Sequence, residues 1–71
     1  MTVVLVTDPA GTITIFESEE LARRSIEFSC HKLEGKVVYS LLDDGSTEAL
    51  QPNGKACKYE VVHVFGRVTH L

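Results

Sequence analysis

The sequence predicts a small α+β domain in which an antiparallel sheet of four to five strands carries one α-helix on one face. Two observations lead to this class. Short runs of β-branched and apolar residues alternate with turn sequences that contain glycine or proline. One longer segment, residues 18–33, instead repeats its apolar residues at helical spacing. Taken in order, the elements are ββαβ(β)β, and the fourth strand has the weakest pattern.

The first two strands are predicted at residues 2–7 and 12–16. The first, TVVLVT, is apolar on both faces, as is typical of an interior strand. The second, TITIF, alternates threonine with isoleucine, which is the pattern of a half-exposed strand. The DPAG sequence at residues 8–11 favours a turn, so the two strands should form a hairpin.

The helix is predicted over residues 18–33, with Ser18 as its N-cap and Gly35 as the left-handed residue that ends it. One stripe of this helix should pack on the sheet. The stripe contains Ala22, Ile26, Ser29 and Leu33, flanked by Leu21, Phe28 and Cys30.

Cys30 and His31 stand side by side near the end of this helix. Adjacent helical side chains point about 100° apart, so Cys30 should lie at the edge of the buried stripe and His31 on the solvent side. There His31 is expected to pair with Glu27, one turn earlier. A helix C-terminus disfavours a thiolate, which argues against a catalytic cysteine.

Three further strands are predicted at residues 36–42, 47–50 and 57–65, separated by the turn sequences DDGS and QPNGK. A right-handed crossover through the helix should place the strand at 36–42 beside the first strand and antiparallel to it. One helix cannot cover both faces of this sheet. We therefore expect an uncovered, semi-apolar face, and such faces bind partners or dimerise.

The last strand carries aromatic residues on one side and Val62 and Val64 on the other. If these valines meet the helix, the aromatic side lies on the uncovered face, where aromatic residues and arginine are typical interface anchors. The predicted partner-binding residues are Tyr39, Tyr59, His63, Phe65 and Arg67. The alternative for His63 is a half-exposed sheet histidine without a binding role.

Other chemistry has weak signals in the sequence. Cys30, Cys57 and His63 are suitable zinc donors, but the usual ligand spacings are absent, and a site made by these three residues is left open. The DDGSTE sequence at 43–48 lacks the ligand pattern of a calcium loop and indicates a solvated turn, with an acidic patch for a basic partner as the alternative. No phosphate-binding glycine motif is present. We expect no cofactor and no enzymatic activity.

Chain length, net charge and the lengths of the apolar runs narrow the class of protein further. The 71 residues form one domain, 1–71, and a net charge of −3 argues against a nucleic-acid partner. No apolar run approaches the roughly 20 residues of a membrane helix, and the first residues lack the basic region of a signal peptide. The sequence therefore predicts a cytoplasmic protein without a membrane partner, and its two cysteines should be reduced.

The order strand–SEEL–helix–strand and the small size resemble those of small phage and mobile-element proteins, several anti-CRISPR inhibitors among them. The resemblance is architectural and assigns no residues. We expect a non-enzymatic protein-interaction module that binds, and thereby inhibits, a larger protein. The alternative is a homo-oligomeric subunit, such as a homodimer, that assembles through the uncovered face or an edge strand. A small zinc-binding or nucleic-acid-binding protein is a third hypothesis.

Overall fold

The computed structural model of the protein describes residues 2–64. These residues form one five-stranded antiparallel sheet and one helix. The elements in chain order are β1 (Thr2–Thr7), β2 (Ile13–Phe16), α1 (Glu19–Ser29), β3 (Val38–Leu41), β4 (Thr47–Leu50) and β5 (Ala56–His63). The strand order across the sheet is β2-β1-β5-β4-β3. The α+β class and the predicted element order are confirmed.

The strand beside β1 is β5, and the prediction that the third strand would lie there is wrong. Tight turns join β3, β4 and β5 into a meander, which leaves β3 at the far edge. Residues 58–63 of β5 then pair with the whole length of β1, from Thr2 opposite His63 to Thr7 opposite Lys58. β1, the most apolar strand, therefore lies between β2 and β5. Its interior position agrees with its sequence pattern.

The three hairpin turns share one geometry. In each, a backbone amide donates to the carbonyl of the residue four positions later: Asp8 to Thr12, Leu42 to Ser46 and Gln51 to Lys55. The residue before each of those carbonyls is a glycine in the left-handed region, for example Gly45 with φ +87°. A type I turn followed by a glycine bulge has this form, and glycine occupies it without strain. The hairpin predicted for β1 and β2 is therefore confirmed, with a loop of residues 8–12. The sequences DDGS and QPNGK were predicted as a turn and a loop, and both lie in hairpin turns.

The helix begins as predicted and ends earlier. The Ser18 hydroxyl accepts the Leu21 amide at 3.2 Å, as an N-cap does. At the other end the Ser29 hydroxyl donates to the Ile26 carbonyl at 2.6 Å, and the Cys30 amide bonds back only three residues. This tightened last turn ends the helix at Ser29. Gly35, the expected terminator, lies beyond it.

The core between helix and sheet is small. Its buried residues come from both layers: Val4, Val6, Ala22, Ile26, Ala49, Cys57 and Tyr59. Of the predicted helix stripe, Ala22 and Ile26 are buried as expected, whereas Ser29 and Leu33 are exposed and Leu33 lies beyond the helix. Tyr59 and Val4 are the largest fully buried side chains. Within residues 2–64, no helix is long and apolar enough to cross a membrane.

Candidate functional site

Tyr39 and Tyr59, two of the predicted partner-binding residues, do not lie on the uncovered face. Tyr59 is only 1% exposed and belongs to the core under α1, and Tyr39 packs against that core. Directly opposed residues of antiparallel strands point to the same face, and Tyr59 lies opposite the buried Val6. Val62, three pairs along, faces away from the helix with Val3. The assumption that Val62 meets the helix was therefore wrong.

The remaining predicted partner residues lie near the end of the described chain. His63 is exposed and lies opposite Thr2, whose hydroxyl oxygen is 3.4 Å from its Nδ1 atom. It shares the helix-side face with Tyr59. Phe65 and Arg67 lie outside the described residues. A binding role for these three residues stays a prediction.

The two tyrosines bind the helix to the sheet. Arg23 Nε donates to the Tyr59 hydroxyl at 2.8 Å, and that hydroxyl donates to a Glu19 carboxylate oxygen. The Arg23 guanidinium lies 4.3 Å from the centre of the Tyr39 ring, and the Tyr39 hydroxyl donates to Glu27 at 2.6 Å. Burial, followed by these carboxylate hydrogen bonds, raises the pKa of both phenols. These aromatic residues are structural contacts between the layers.

Cys30 and His31 face different ways, as predicted. Cys30 is buried, whereas His31 is exposed. The predicted partner of His31 was wrong, because Glu27 accepts the Tyr39 hydroxyl while His31 Nδ1 donates to the Phe28 carbonyl at 2.7 Å. The His31 ring stacks on Phe28 with centroids 4.8 Å apart. Phe28 itself is 71% exposed, so the expectation that it packs on the sheet was also wrong.

The two thiols are free and buried. Cys57 lies opposite Ala49 on the helix side of the sheet, and Gln51 donates to its sulfur at 3.6 Å. Burial raises the pKa of the Cys57 thiol. Across the part of the chain that the structure describes, no three His, Cys, Asp or Glu side chains group as metal ligands. Cys30, Cys57 and His63 are therefore not brought together as a zinc site.

In the acidic turn before β4, the Asp44 carboxylate is already bound by other residues of the chain. Asp44 accepts the Ser46 amide at 3.0 Å as well as the Ser46 hydroxyl. Its other oxygen accepts Lys58 Nζ, also at 3.0 Å. Hydrogen bonds from Ser46 and Lys58 hold the pKa of Asp44 well below its usual range. The turn interpretation of this segment is supported, and Lys58 is paired within the chain.

The sheet face turned away from α1, here called the open face, carries an apolar area at each end. The first area, the isoleucine corner, lies on β2, β1 and β5 and consists of Ile13, Ile15, Leu5, Val3 and Val62. Ile13 and Ile15 are 62% and 65% exposed. The second, the leucine corner, lies on β3, β4 and β5 and consists of Val38, Leu50 and Ala56. Its two larger residues are also exposed.

A charged band separates the two corners. Glu48 lies directly opposite Lys58, and Glu60 follows on the same face of β5. Because Asp44 pairs with Lys58, the two glutamates leave this band with a net negative charge. The open face therefore combines two areas of exposed aliphatic side chains with an acidic band between them.

The sequence predicts that this face exists, but Tyr39 and Tyr59, which were expected on it, lie on the helix side of the sheet. TITIF indicated one exposed side, but threonine and isoleucine are both common on exposed strand faces, so the pattern did not decide which of them faces the helix. Comparison of the chain with protein-family models, curated protein sequences and solved structures finds no match.

Proposed function

We propose that the protein is a non-enzymatic interaction module that docks its open face on a larger protein and inhibits that protein by occupying its surface. One observation carries the proposal. The two isoleucines of β2 remain more than 60% exposed on the sheet face opposite α1. Both belong to a regular strand with a defined register, so the face is presented as a preformed surface.

The distribution of apolar residues between core and surface supports docking on another protein. Within residues 2–64, half of the eight buried hydrophobic residues are alanine or cysteine, whereas ten large hydrophobic residues are exposed. Four of these ten lie on the open face: Ile13, Ile15, Val38 and Leu50. A domain of this size gains little from its own core. Covering the exposed part of each β2 isoleucine would contribute about 1 to 2 kcal/mol. A docked partner therefore supplies apolar contacts that this fold does not make by itself.

Charge indicates the chemistry of that partner. The band between the corners is acidic, because Glu48 and Glu60 exceed the single Lys58, which Asp44 already pairs. A second open face would oppose this band with the same charge, which disfavours face-to-face self-association. The complementary surface is apolar with basic residues across its middle. Affinity should then fall as salt is raised, since the acidic band is solvent-exposed before docking.

Matched aspartate substitutions on the two sides of the sheet test this proposal. Ile15→Asp and Leu50→Asp each charge one corner of the open face. Leu41→Asp introduces the same charge at a more exposed residue on the helix side. Immobilised wild-type chain is used to capture proteins from a lysate of the producing cells. The captured protein is then purified, and its binding to each variant is measured by calorimetry alongside its own activity.

The two outcomes differ clearly. Loss of binding and of inhibition by Ile15→Asp and Leu50→Asp, with Leu41→Asp unchanged, supports docking through the open face. Equal binding by all variants, each folded by circular dichroism, refutes it. Binding that leaves the captured protein fully active refutes inhibition alone. Wild-type association should also show a negative heat-capacity change, the signature of apolar burial.

A further inference from the structure

The outer edge of β2 is unused by the proposed docking. β2 pairs with β1 on one side, and within residues 2–64 no strand pairs with its other side. Its four residues, ITIF, include neither a charge nor a proline, and three of them are β-branched. Proteins usually protect a sheet edge with charges, prolines or bulges, because an unprotected edge is a template for another strand.

The turn before β2 determines which backbone groups face this edge. The Asp8 amide donates to the Thr12 carbonyl, so these two residues form a hydrogen-bonded position of the ladder. Such positions alternate along antiparallel strands, and the next one on β2 is Thr14. Ile13 and Ile15 therefore direct their N–H and C=O groups away from β1, towards the free edge.

We infer that this edge pairs with β2 of a second copy of the chain, antiparallel about a two-fold axis at Thr14. In this register Ile13 of one copy and Ile15 of the other exchange both backbone hydrogen bonds, and the two Thr14 side chains lie opposite each other. Pairs of β-branched residues are favourable cross-strand neighbours. A shift of two residues in either direction would instead place an isoleucine opposite Gly11 or Glu17.

The resulting dimer is closed and symmetrical. Two five-stranded sheets join into one continuous sheet, and the isoleucine corners of both copies meet at its centre. The acidic bands stay apart, because Glu48 and Glu60 lie on β4 and β5, on the far side of β1 from the joined edges. Edge pairing is thus free of the repulsion that opposes face-to-face association, and the inference does not depend on the docking proposal.

The edge at β3 provides the matched comparison. It also has four residues, but its two central residues are a tyrosine and a serine, whereas those of β2 are both β-branched. The Tyr39 hydroxyl is already bound by Glu27 of the helix. Thr14 on β2 and Ser40 on β3 are both exposed, so a lysine at either position charges one edge only.

Sedimentation velocity over a concentration series tests the inference. The wild-type chain should shift from 7.8 kDa towards twice that mass as concentration rises. Thr14→Lys places two lysines opposite each other and should raise the dimer dissociation constant about tenfold, whereas Ser40→Lys should leave it unchanged. Mixing Thr14→Lys with Thr14→Glu should restore the dimer, because the register brings these two side chains together.

Each alternative result overturns a stated part of the inference. A wild-type chain that stays at 7.8 kDa at every concentration rules out the dimer and leaves the docking proposal untouched. If Ser40→Lys dissociates the dimer and Thr14→Lys leaves it intact, the dimer forms through the β3 edge. If the lysine and glutamate variants are folded by circular dichroism and their mixture remains monomeric, the register about Thr14 is wrong.

Discussion

Arg23 and Tyr59 are joined across the two layers of the fold: the Arg23 Nε–H donates to the Tyr59 hydroxyl over 2.8 Å. Arg23 lies on α1 and Tyr59 on β5, the middle strand of the sheet. The same hydroxyl donates to Glu19, one helical turn before Arg23. This contact fixes the helix on one face of the sheet and thereby leaves the other face open.

Removing the Tyr59 hydroxyl should weaken the fold. Tyr59→Phe leaves Arg23 and Glu19 without their shared partner at the edge of the core, and hydrogen bonds to charged groups contribute about 1.5 to 3 kcal/mol. We expect the free energy of unfolding, measured in urea, to fall by about 2 kcal/mol. Tyr39→Phe is the control and should cost less, because its bond to Glu27 is exposed. Equal losses in the two variants would contradict this role of Tyr59.

Alkaline pH should destabilise the chain through the same tyrosines. Burial raises the pKa of the Tyr39 and Tyr59 phenols above the usual 10.0, so the folded state keeps protons that the unfolded state releases. Stability contributed by the neutral phenols is therefore complete below pH 10 and decreases as pH rises above it. The melting temperature should fall above pH 10, and by less in the Tyr39→Phe, Tyr59→Phe double variant. Parallel curves for the two proteins would contradict the prediction.

Acid pH should remove the contribution of Asp44. Hydrogen bonds from Ser46, aided by Lys58, lower the pKa of this carboxyl from 3.8, so the folded state favours its charged form. That contribution is complete above pH 3.8 and is lost as pH falls through the lower folded value. Asp44→Asn should lower the melting temperature at neutral pH, and the difference from wild type should shrink below pH 4. A difference that is constant with pH would indicate that the charge of Asp44 contributes nothing.

Local chemistry explains why some elements were predictable. Each hairpin turn combines a proline or aspartate with a glycine that the bulge requires, and Ser18 supplies its own N-cap hydrogen bond. These signals depend on residues close in sequence. The end of the helix was mispredicted because the Ser29 hydroxyl bonds to the helix backbone, a competition that apolar periodicity does not reveal.

The sequence did not predict correctly which face of the sheet packs against the helix, and the reason is different. β5 presents Tyr59 and Val61 on one side and Val62 on the other, so apolar residues stand on both faces of the strand. Polarity alone then does not select the side that packs on the helix. The selection comes from tertiary contacts, in which Arg23 and Glu19 bind the Tyr59 hydroxyl. Because the aromatic residues pack under the helix, the candidate site consists of the isoleucines of β2 and not of those aromatic residues.

Solvent accessibility of individual methyl groups tests docking through the open face most directly. With isoleucine and leucine methyls labelled and a soluble paramagnetic probe added, the free chain should show strong relaxation at Ile15, Leu50 and Leu41, all of which are exposed. When the captured protein is bound, the proposal predicts protection of Ile15 and Leu50 and continued exposure of Leu41 on the helix side. Protection of Leu41 with Ile15 and Leu50 still accessible would contradict it.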